Sequence, residues 1–230
     1  MEKDWLKENI IAHRGLHDDK ILENSLLSFK LAIDKNYIIE LDVRLTKDNK
    51  VIVYHDNSLK RLFNINKKIE DLTLIEIKKK FSDIPTLEEV LKFVDDKVPL
   101  LIEIKGDNLN IIKESMKLLK NYKGRYAIQS FNPLMLYWLR KKYKNVLRGQ
   151  LAYNFDFRDM NKIKRFLLKN MTFNIFTKPD FISYNYKDLN DDQIKLIKKD
   201  YILLGWTVKD KETYLKIKDK YDNLICEKFI

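Results

Sequence analysis

The sequence predicts an α/β protein with a TIM-type (β/α)8 barrel. Short apolar runs rich in Ile, Val, Leu and Tyr alternate with longer helical patterns along the chain, which is typical of a parallel sheet covered by helices. The chain has 230 residues, of which 45% are hydrophobic, so it is long enough to bury one substantial core. We therefore expect a single barrel domain over residues 1–230.

Nine apolar runs are the candidate strands, and one of them differs from the rest in its connection. They span residues 10–13, 37–43, 51–55, 99–104, 126–130, 146–151, 181–184, 202–207 and 223–227. Only residues 44–50 join the second run to the third, and a parallel neighbour needs a much longer crossover. Run 51–55 should therefore return as an antiparallel hairpin, which leaves eight strands for the barrel. If the hairpin turns at residues 48–49, His55 comes to lie opposite Asp42.

Helix signals agree with this alternation. Residues 73–76 (Thr-Leu-Ile-Glu) and 86–89 (Thr-Leu-Glu-Glu) both have the pattern of a capping box, which satisfies the free N–H groups of a helix start. Both lie between the hairpin and run 99–104. We therefore expect a small helical cap inserted there.

Charge and cysteine content limit the classes of partner and compartment. The formal net charge is +11, which could attract polyanions or phosphorylated ligands. The lysines are scattered along helical segments, and no aromatic and basic motif of a nucleic-acid module occurs, so no nucleic-acid partner is predicted. The single cysteine, Cys226, allows no intramolecular disulfide. With no apolar segment long enough to span a bilayer, we expect a cytoplasmic protein without stable membrane insertion; its oligomeric state is not indicated.

Three acidic residues in apolar strands indicate a metal site. Glu40 and Asp42 are two residues apart in run 37–43, so their side chains point to the same side of the sheet, and Glu103 lies in the next parallel strand. Such an all-oxygen set suits one hard cation, Mg²⁺ or Ca²⁺, with Mn²⁺ as a further candidate. The alternative is that these acids form buried salt bridges with basic residues. The candidates for those bridges are Arg14, Arg44 and Lys105.

Two histidines at strand ends indicate acid–base chemistry beside these acids. His13 ends the first run and His55 ends the hairpin strand. A pair of histidines can take a proton from a nucleophile and give one to a leaving alcohol near neutral pH. Either could instead be a metal ligand or a packed core residue. Arg14 and Lys105 would meet phosphate oxygens, Arg14 through its fork and Lys105 as a point charge.

An ordered set of motifs resembles the glycerophosphodiester phosphodiesterase family. The motifs are His13-Arg14-Gly15, Glu23-Asn24-Ser25, Glu40-Leu41-Asp42, His55-Asp56 and Glu103-Ile104-Lys105, and the similarity continues at 84–90, 129–133, 148–151 and 206–208. Two departures are Ser25, where the family usually has Thr, and residues 225–227 (Ile-Cys-Glu), where many members have Thr-Asp.

The resemblance implies a TIM barrel that hydrolyses glycerophosphodiesters to glycerol 3-phosphate and an alcohol. Under it, Glu40, Asp42 and Glu103 hold one divalent cation and the two histidines are the acid–base pair. Arg14 and Lys105 would bind the phosphate of this small-molecule substrate. The alternatives are a lysophospholipase D acting on lysophospholipids, a phosphatidylinositol-type phospholipase C, and a non-catalytic phosphate-binding barrel.

Several strand-end residues are secondary candidates with competing structural roles. Ser130 and Gln150 could reach the phosphate because active sites of barrels lie at strand ends. Trp206 could form a wall for the alcohol or pack in the core. Asn24 could belong to the site or, with Ser25, cap the first helix. The sequence leaves the roles of three further residues open: His17, Tyr184 and Glu227.

Overall fold

The computed structural model describes residues 2–154 and 161–230. These residues form two compact units, Ala12–Tyr126 and the described part of residues 2–11 with 127–230. The strands are β1 (Ile11–Ala12), β2 (Ile38–Leu45), β3 (Val51–Val53), β4 (Leu100–Ile104), β5 (Tyr126–Ser130), β6 (Leu147–Ala152), β7 (Phe181–Asn185), β8 (Ile202–Val208) and β9 (Asn223–Cys226). The helices are α1 (Leu26–Asp34), α2 (Lys60–Phe63), α3 (Leu74–Lys80), α4 (Leu87–Val94), α5 (Asn110–Leu119), α6 (Pro133–Lys142), α7 (Lys162–Lys169), α8 (Asn174–Thr177), α9 (Asp191–Lys198) and α10 (Lys211–Ile217). All nine predicted runs contain a strand.

Within Ala12–Tyr126, β2 pairs antiparallel with β3 and parallel with β4. The hairpin is therefore confirmed, but its predicted register was wrong by one residue. Val43 pairs with Val53, and Tyr54 N–H donates to the Asp42 carbonyl at 2.9 Å, so Tyr54 and not His55 lies opposite Asp42. The loop has an odd number of residues, 46–50, because the Thr46 hydroxyl donates to the carboxylate of Asp48 and closes the turn around it.

The segment between β3 and β4 is the predicted helical cap, and it has its own apolar cluster. Helices α2 and α3 and a short 3-10 helix, Ile69–Asp71, occupy it. Ile52, Leu59, Ile69 and Ile77 are buried together there. Both predicted capping boxes are present, with Thr73 and Thr86 each accepting from the N–H three residues later. The cap is thus a packed structure attached to β3.

The second unit contains five parallel strands. Strands β5, β6, β7, β8 and β9 pair in chain order, and helices connect them. Their core includes Ile182, Leu203 and Cys226, each fully buried, which agrees with a thiol that packs as a small apolar group. Across residues 2–154 and 161–230, we find no helix with the length and apolar character needed to cross a bilayer.

We expect Gly149→Ala to destabilise the second unit. Gly149 of β6 pairs in register with Phe181 of β7, and a Cβ at position 149 would overlap the Phe181 ring. Because a packed core cannot easily move an aromatic ring aside, we expect a loss of about 1–3 kcal/mol in the free energy of unfolding. Urea denaturation measures it, with the exposed Lys144→Ala as the control. Equal midpoints for Gly149→Ala and the unsubstituted protein would contradict this packing.

Candidate active site

Three buried carboxylates converge within Ala12–Tyr126. Glu40 and Asp42 are 1% and 0% exposed and Glu103 is 6% exposed. Asp42 of β2 pairs in register with Glu103 of β4, which places the third acid beside the first two. One carboxylate oxygen of each lies within 4.8 Å of the others. Since oxygens around a hard cation lie about 2.0–2.6 Å from it, this spacing suits three ligands of one ion.

Two cations are already paired with these acids, as the salt-bridge alternative predicted for Arg14 and Lys105. Arg14 Nε lies 3.2 Å from Asp42 Oδ2, and Lys105 Nζ lies 3.1 Å from Asp42 Oδ1 and 2.5 Å from Glu103 Oε1. Arg44 makes no such bridge; its Nε donates to the carbonyl of His55 at 2.7 Å. Three carboxylates against two cations leave a negative site.

The carboxylate pKa values reflect this uncompensated charge. Burial, together with the charges of Asp42 and Glu103, raises the pKa of Glu40 well above its usual value. Burial also raises the pKa of Glu103 to about 7, against the opposing effect of Lys105. Burial would raise the pKa of Asp42 too, but Lys105 and Arg14 hold it below its usual range. A divalent cation would relieve the repulsion, so this donor set fits a hard metal ion.

Asn24 and the backbone around Arg14 fix these carboxylates in place. The Asn24 side chain donates to Asp42 Oδ2 at 2.9 Å and accepts from the Asp42 N–H at 3.2 Å. Arg14 adopts a left-handed conformation, φ +57°, and its N–H donates to Glu40 Oε2 at 3.0 Å. Ser25 forms the N-cap of α1 with Ser28. The structure therefore separates the two residues: Ser25 caps the helix, and Asn24 orients a carboxylate.

The two histidines follow the two short strands β1 and β3. His13 directly follows β1 and His55 follows β3 with one residue between, and both are half-buried. Both lie close enough to Asp42 to help keep the pKa of its carboxyl low. Burial lowers the pKa of His55 below its usual value, although Asp42 opposes this. His55 is therefore neutral near pH 7, the form that can accept a proton.

A chain of hydrogen bonds and ion pairs links His55 to Arg14. His55 Nδ1 lies 2.6 Å from Asp56 Oδ1, and Asp56 Oδ2 accepts from Arg61 Nε at 2.6 Å. Arg61 also donates to Glu23 through Nη1 and Nη2 at 3.0 and 2.5 Å, and Glu23 accepts from Arg14 Nη1 at 2.9 Å.

The sequence did not predict Arg61 as a site residue, because a basic residue in an exposed helix of the cap belongs to no recognisable motif. Glu23 and Asp56 were visible only as parts of motifs.

The remaining candidates in the second unit have local structural partners. Gln150 Nε2 donates to the carbonyls of Leu151 and Ser130 at 2.8 and 3.2 Å. The Ser130 hydroxyl accepts from the Asn132 N–H at 3.2 Å. Trp206 contacts the rings of Phe131 and Tyr153, with centroids 5.6 and 6.2 Å away. Tyr184 donates to a backbone carbonyl at 3.3 Å and Glu227 lies 3.4 Å from a lysine.

The third histidine, His17, lies in the first unit, in the loop after β1. Its Nδ1 lies 3.3 Å from the carbonyl of Gly15. This contact holds the loop after β1 and needs no charge on the ring. His17 therefore provides a natural control for experiments on the other two histidines.

Comparison with known proteins gives one consistent family. The sequence model of the Glycerophosphoryl diester phosphodiesterase family matches residues 13–225. The glycerophosphodiester phosphodiesterase of Caldanaerobacter subterraneus is 38% identical over 165 residues, which are 64% of this chain and 67% of that protein.

Two solved structures are similar over nearly their whole length. The glycerophosphodiester phosphodiesterase of Thermotoga maritima has a TM-score of 0.76 and 32% identity, covering 95% of this chain and 94% of that one. A phosphodiesterase of Oleispira antarctica, solved with the product sn-glycerol-3-phosphate, has a TM-score of 0.79 and 22% identity and covers 95% and 92% of the two chains. These likenesses confirm the predicted (β/α)8 TIM barrel, to which β3 is an additional strand.

Proposed function

We propose, on the premise that this chain belongs to the glycerophosphoryl diester phosphodiesterase family, that it hydrolyses glycerophosphodiesters with a divalent cation and two histidines. The products would be glycerol 3-phosphate and an alcohol. The convergence of Glu40, Asp42 and Glu103 within 4.8 Å of one another carries this proposal. The sn-glycerol-3-phosphate bound to the Oleispira enzyme supports the class of product.

Glu40, Asp42 and Glu103 would hold the cation, and their oxygen ligands suit Mg²⁺ or Ca²⁺, with Mn²⁺ as a third candidate. When bound, such an ion supplies Lewis acidity to the phosphodiester and to a neighbouring hydroxyl. Asn24 keeps the Asp42 carboxylate in one orientation through its paired hydrogen bonds. This support from a neighbouring side chain is what a metal ligand needs to keep its geometry.

The histidines would carry the protons. One of His13 and His55 removes the proton of the substrate's 2-hydroxyl, whose oxygen attacks phosphorus, while the other donates a proton to the departing alcohol oxygen. In the second half, water opens the cyclic phosphate with the two roles reversed, which restores both histidines. Asp56 binds His55 Nδ1, so Nε2 is the nitrogen left for proton exchange. Arg14 and Lys105 would bind the phosphate oxygens.

Product release from two simple substrates tests this function. Purified protein is incubated with glycerophosphocholine or glycerophosphoethanolamine, first with EDTA and then with Mg²⁺, Ca²⁺ or Mn²⁺ restored. We expect glycerol 3-phosphate only after a metal is restored. Folded protein that releases none with any metal, but cleaves lysophospholipids, would replace this proposal with the lysophospholipase D alternative.

We expect Arg61→Met to lower kcat by about tenfold, because Arg61 holds both Asp56, which orients His55, and Glu23, which holds Arg14. Loss of an outer residue that orients a reacting group typically costs about 10–100-fold. Arg61→Lys keeps one charge and should recover part of kcat. The matched control is the exposed neighbour Lys60→Met, which should keep full activity. Equal kcat for the Arg61→Met and Lys60→Met variants would remove Arg61 from the mechanism.

The protein is also proposed to act as one domain in the cytoplasm. The family match spans residues 13–225 and so includes parts of both compact units, which supports one functional domain. Cys226 is buried and is the only cysteine, so no disulfide of this chain calls for an oxidising compartment.

A further inference from the structure

A cavity of about 390 Å³ opens where β2 and β4 end, next to Lys105. It lies wholly within Ala12–Tyr126 and has the size of a small-molecule site, typically about 300–1,000 Å³. Its walls include Arg44 and Lys47 from the end of β2 and the following loop, Glu70 from the cap, and Asn108 from the loop after β4. None of these four has a role in the acid–base and metal chemistry described above.

Arg44 is the most distinctive residue of this wall. Glu40, Asp42 and Arg44 occupy alternate positions of β2, so their side chains point to the same side of the sheet. Arg44 is the nearest of the three to the C-terminal end of the strand. Its Nε donates to the His55 carbonyl at 2.7 Å. Among the described residues, no carboxylate lies within ion-pair distance of its guanidinium. The two terminal nitrogens of a half-buried guanidinium are thus available to a ligand in the cavity.

The wall next to Arg44 carries two further cations, Lys47 and Lys105, although the charges of Asp42, Glu103, Asp56 and Glu70 also act on the Arg44 guanidinium from outside ion-pair distance. Lys47, at the same end of β2, also has no ion-pair partner in the part of the chain that the structure describes, whereas Glu70 is held by Lys68 at 3.2 Å. Asp107 is the other acid of the wall and is exposed. Lys105 contributes a third cation where the cavity meets the carboxylate cluster. The wall therefore has three cations, Arg44, Lys47 and Lys105, against the two acids Glu70 and Asp107, and of these cations Lys105 is shared with Asp42 and Glu103.

We propose that this cavity binds the alcohol moiety of the diester and selects alcohols that carry an anionic group of their own, with Arg44 as the specificity-determining residue. The inference rests on the proposed function, because Lys105 would bind the phosphate that joins this alcohol to glycerol. The free edge of the guanidinium matches a carboxylate or a phosphate in geometry as well as charge. Lys47 adds a second positive charge at the entrance.

A matched pair of substrates tests the selection. Glycerophosphoserine differs from glycerophosphoethanolamine only by a carboxylate, and a phosphorylated glycerophosphoinositol differs from glycerophosphoinositol only by a phosphate. We expect kcat/KM to be about tenfold higher for the anionic member of at least one pair, the gain typical of one hydrogen-bonded ion contact. Which pair responds tells whether the anionic group is a carboxylate or a phosphate.

Substitutions then assign the effect to Arg44. In Arg44→Gln the ratio of kcat/KM between the two members should fall to about one, and in Lys47→Gln it should fall part of the way. Lys50→Gln, which removes an exposed charge from the same hairpin loop, should leave the ratio unchanged. A ratio that stays at its original value in Arg44→Gln overturns the proposal.

Binding measurements separate selection from catalysis, since Arg44 also contacts the His55 backbone. Calorimetry in a His55→Asn background, with and without Arg44→Gln, should show about a tenfold rise in Kd for glycerophosphoserine and no change for glycerophosphoethanolamine. Equal turnover of both members of both pairs by the unsubstituted protein rejects the selection and leaves the proposed function standing. Failure to hydrolyse any of the four substrates with any metal rejects both.

Discussion

Replacing either His13 or His55 by asparagine should lower kcat for glycerophosphodiester hydrolysis by roughly 10²–10⁴-fold. Each histidine is proposed to move one proton in each half of the reaction, and a positioned acid or base typically contributes a factor of that size. The effect should fall on kcat more than on KM, because neither histidine is proposed to hold the phosphate. Steady-state release of glycerol 3-phosphate measures it.

Two comparisons make this result specific to the acid–base roles. His17→Asn removes the third histidine, whose Nδ1 lies 3.3 Å from the Gly15 carbonyl and which has no proposed proton-transfer role, and should keep full activity. The double variant of His13 and His55 should be little worse than either single one, because residues that act as a unit are not additive. Both single variants should bind metal as the unsubstituted protein does. Turnover that persists in both would assign the proton transfers elsewhere.

The sequence was sufficient for the strands and for the convergence of Glu40, Asp42 and Glu103 because these depend on local pattern. A run such as 99–104 is apolar except for Glu103 and is too short for most buried helices, so it indicates a buried strand, and an acid inside it must be neutralised. Glu40 and Asp42 are two residues apart in a strand, so their side chains lie on the same side of the sheet independently of contacts with distant segments. These inferences need no knowledge of distant contacts, and the fold they predicted is present.

The missed features depend on turn closure and on contacts between distant segments. The register of β3 was wrong because a hydrogen bond from Thr46 to Asp48 closes a loop of odd length, and composition does not distinguish this from an even one. Arg61 lies 38 residues from Glu23, its partner in an ion pair. The sequence indicated Arg44 only as one of three candidate salt-bridge partners of the acids. The structure shows that its Nε donates to the His55 carbonyl instead.

Adding a divalent cation to metal-free protein should raise its Tm by roughly 5–10 °C at pH 8, and by much less at pH 5. Burial raises the folded-state pKa of Glu103 to about 7 and that of Glu40 well above its usual value. An acid with a raised folded pKa favours folding when protonated, so the contribution of Glu103 to stability is fully present below about pH 4.5 and is lost as the pH rises through about 7, and Glu40 acts in the same direction. A bound cation would remove that loss, and a few kcal/mol is worth several degrees in a chain of this size.

Glu103→Gln separates this electrostatic explanation from general stabilisation by salt. The variant should be more stable than the unsubstituted protein at pH 8 without metal, because it lacks one of the repelling charges, and it should gain little from Mg²⁺, Ca²⁺ or Mn²⁺. The exposed Glu88→Gln is the matched control and should respond to metal as the unsubstituted protein does. Thermal scans at pH 5 and pH 8 need no substrate, so they test the metal site independently of turnover. A Tm gain from metal that is as large in Glu103→Gln, or as large at pH 5, would show that the ion binds somewhere other than at these three carboxylates.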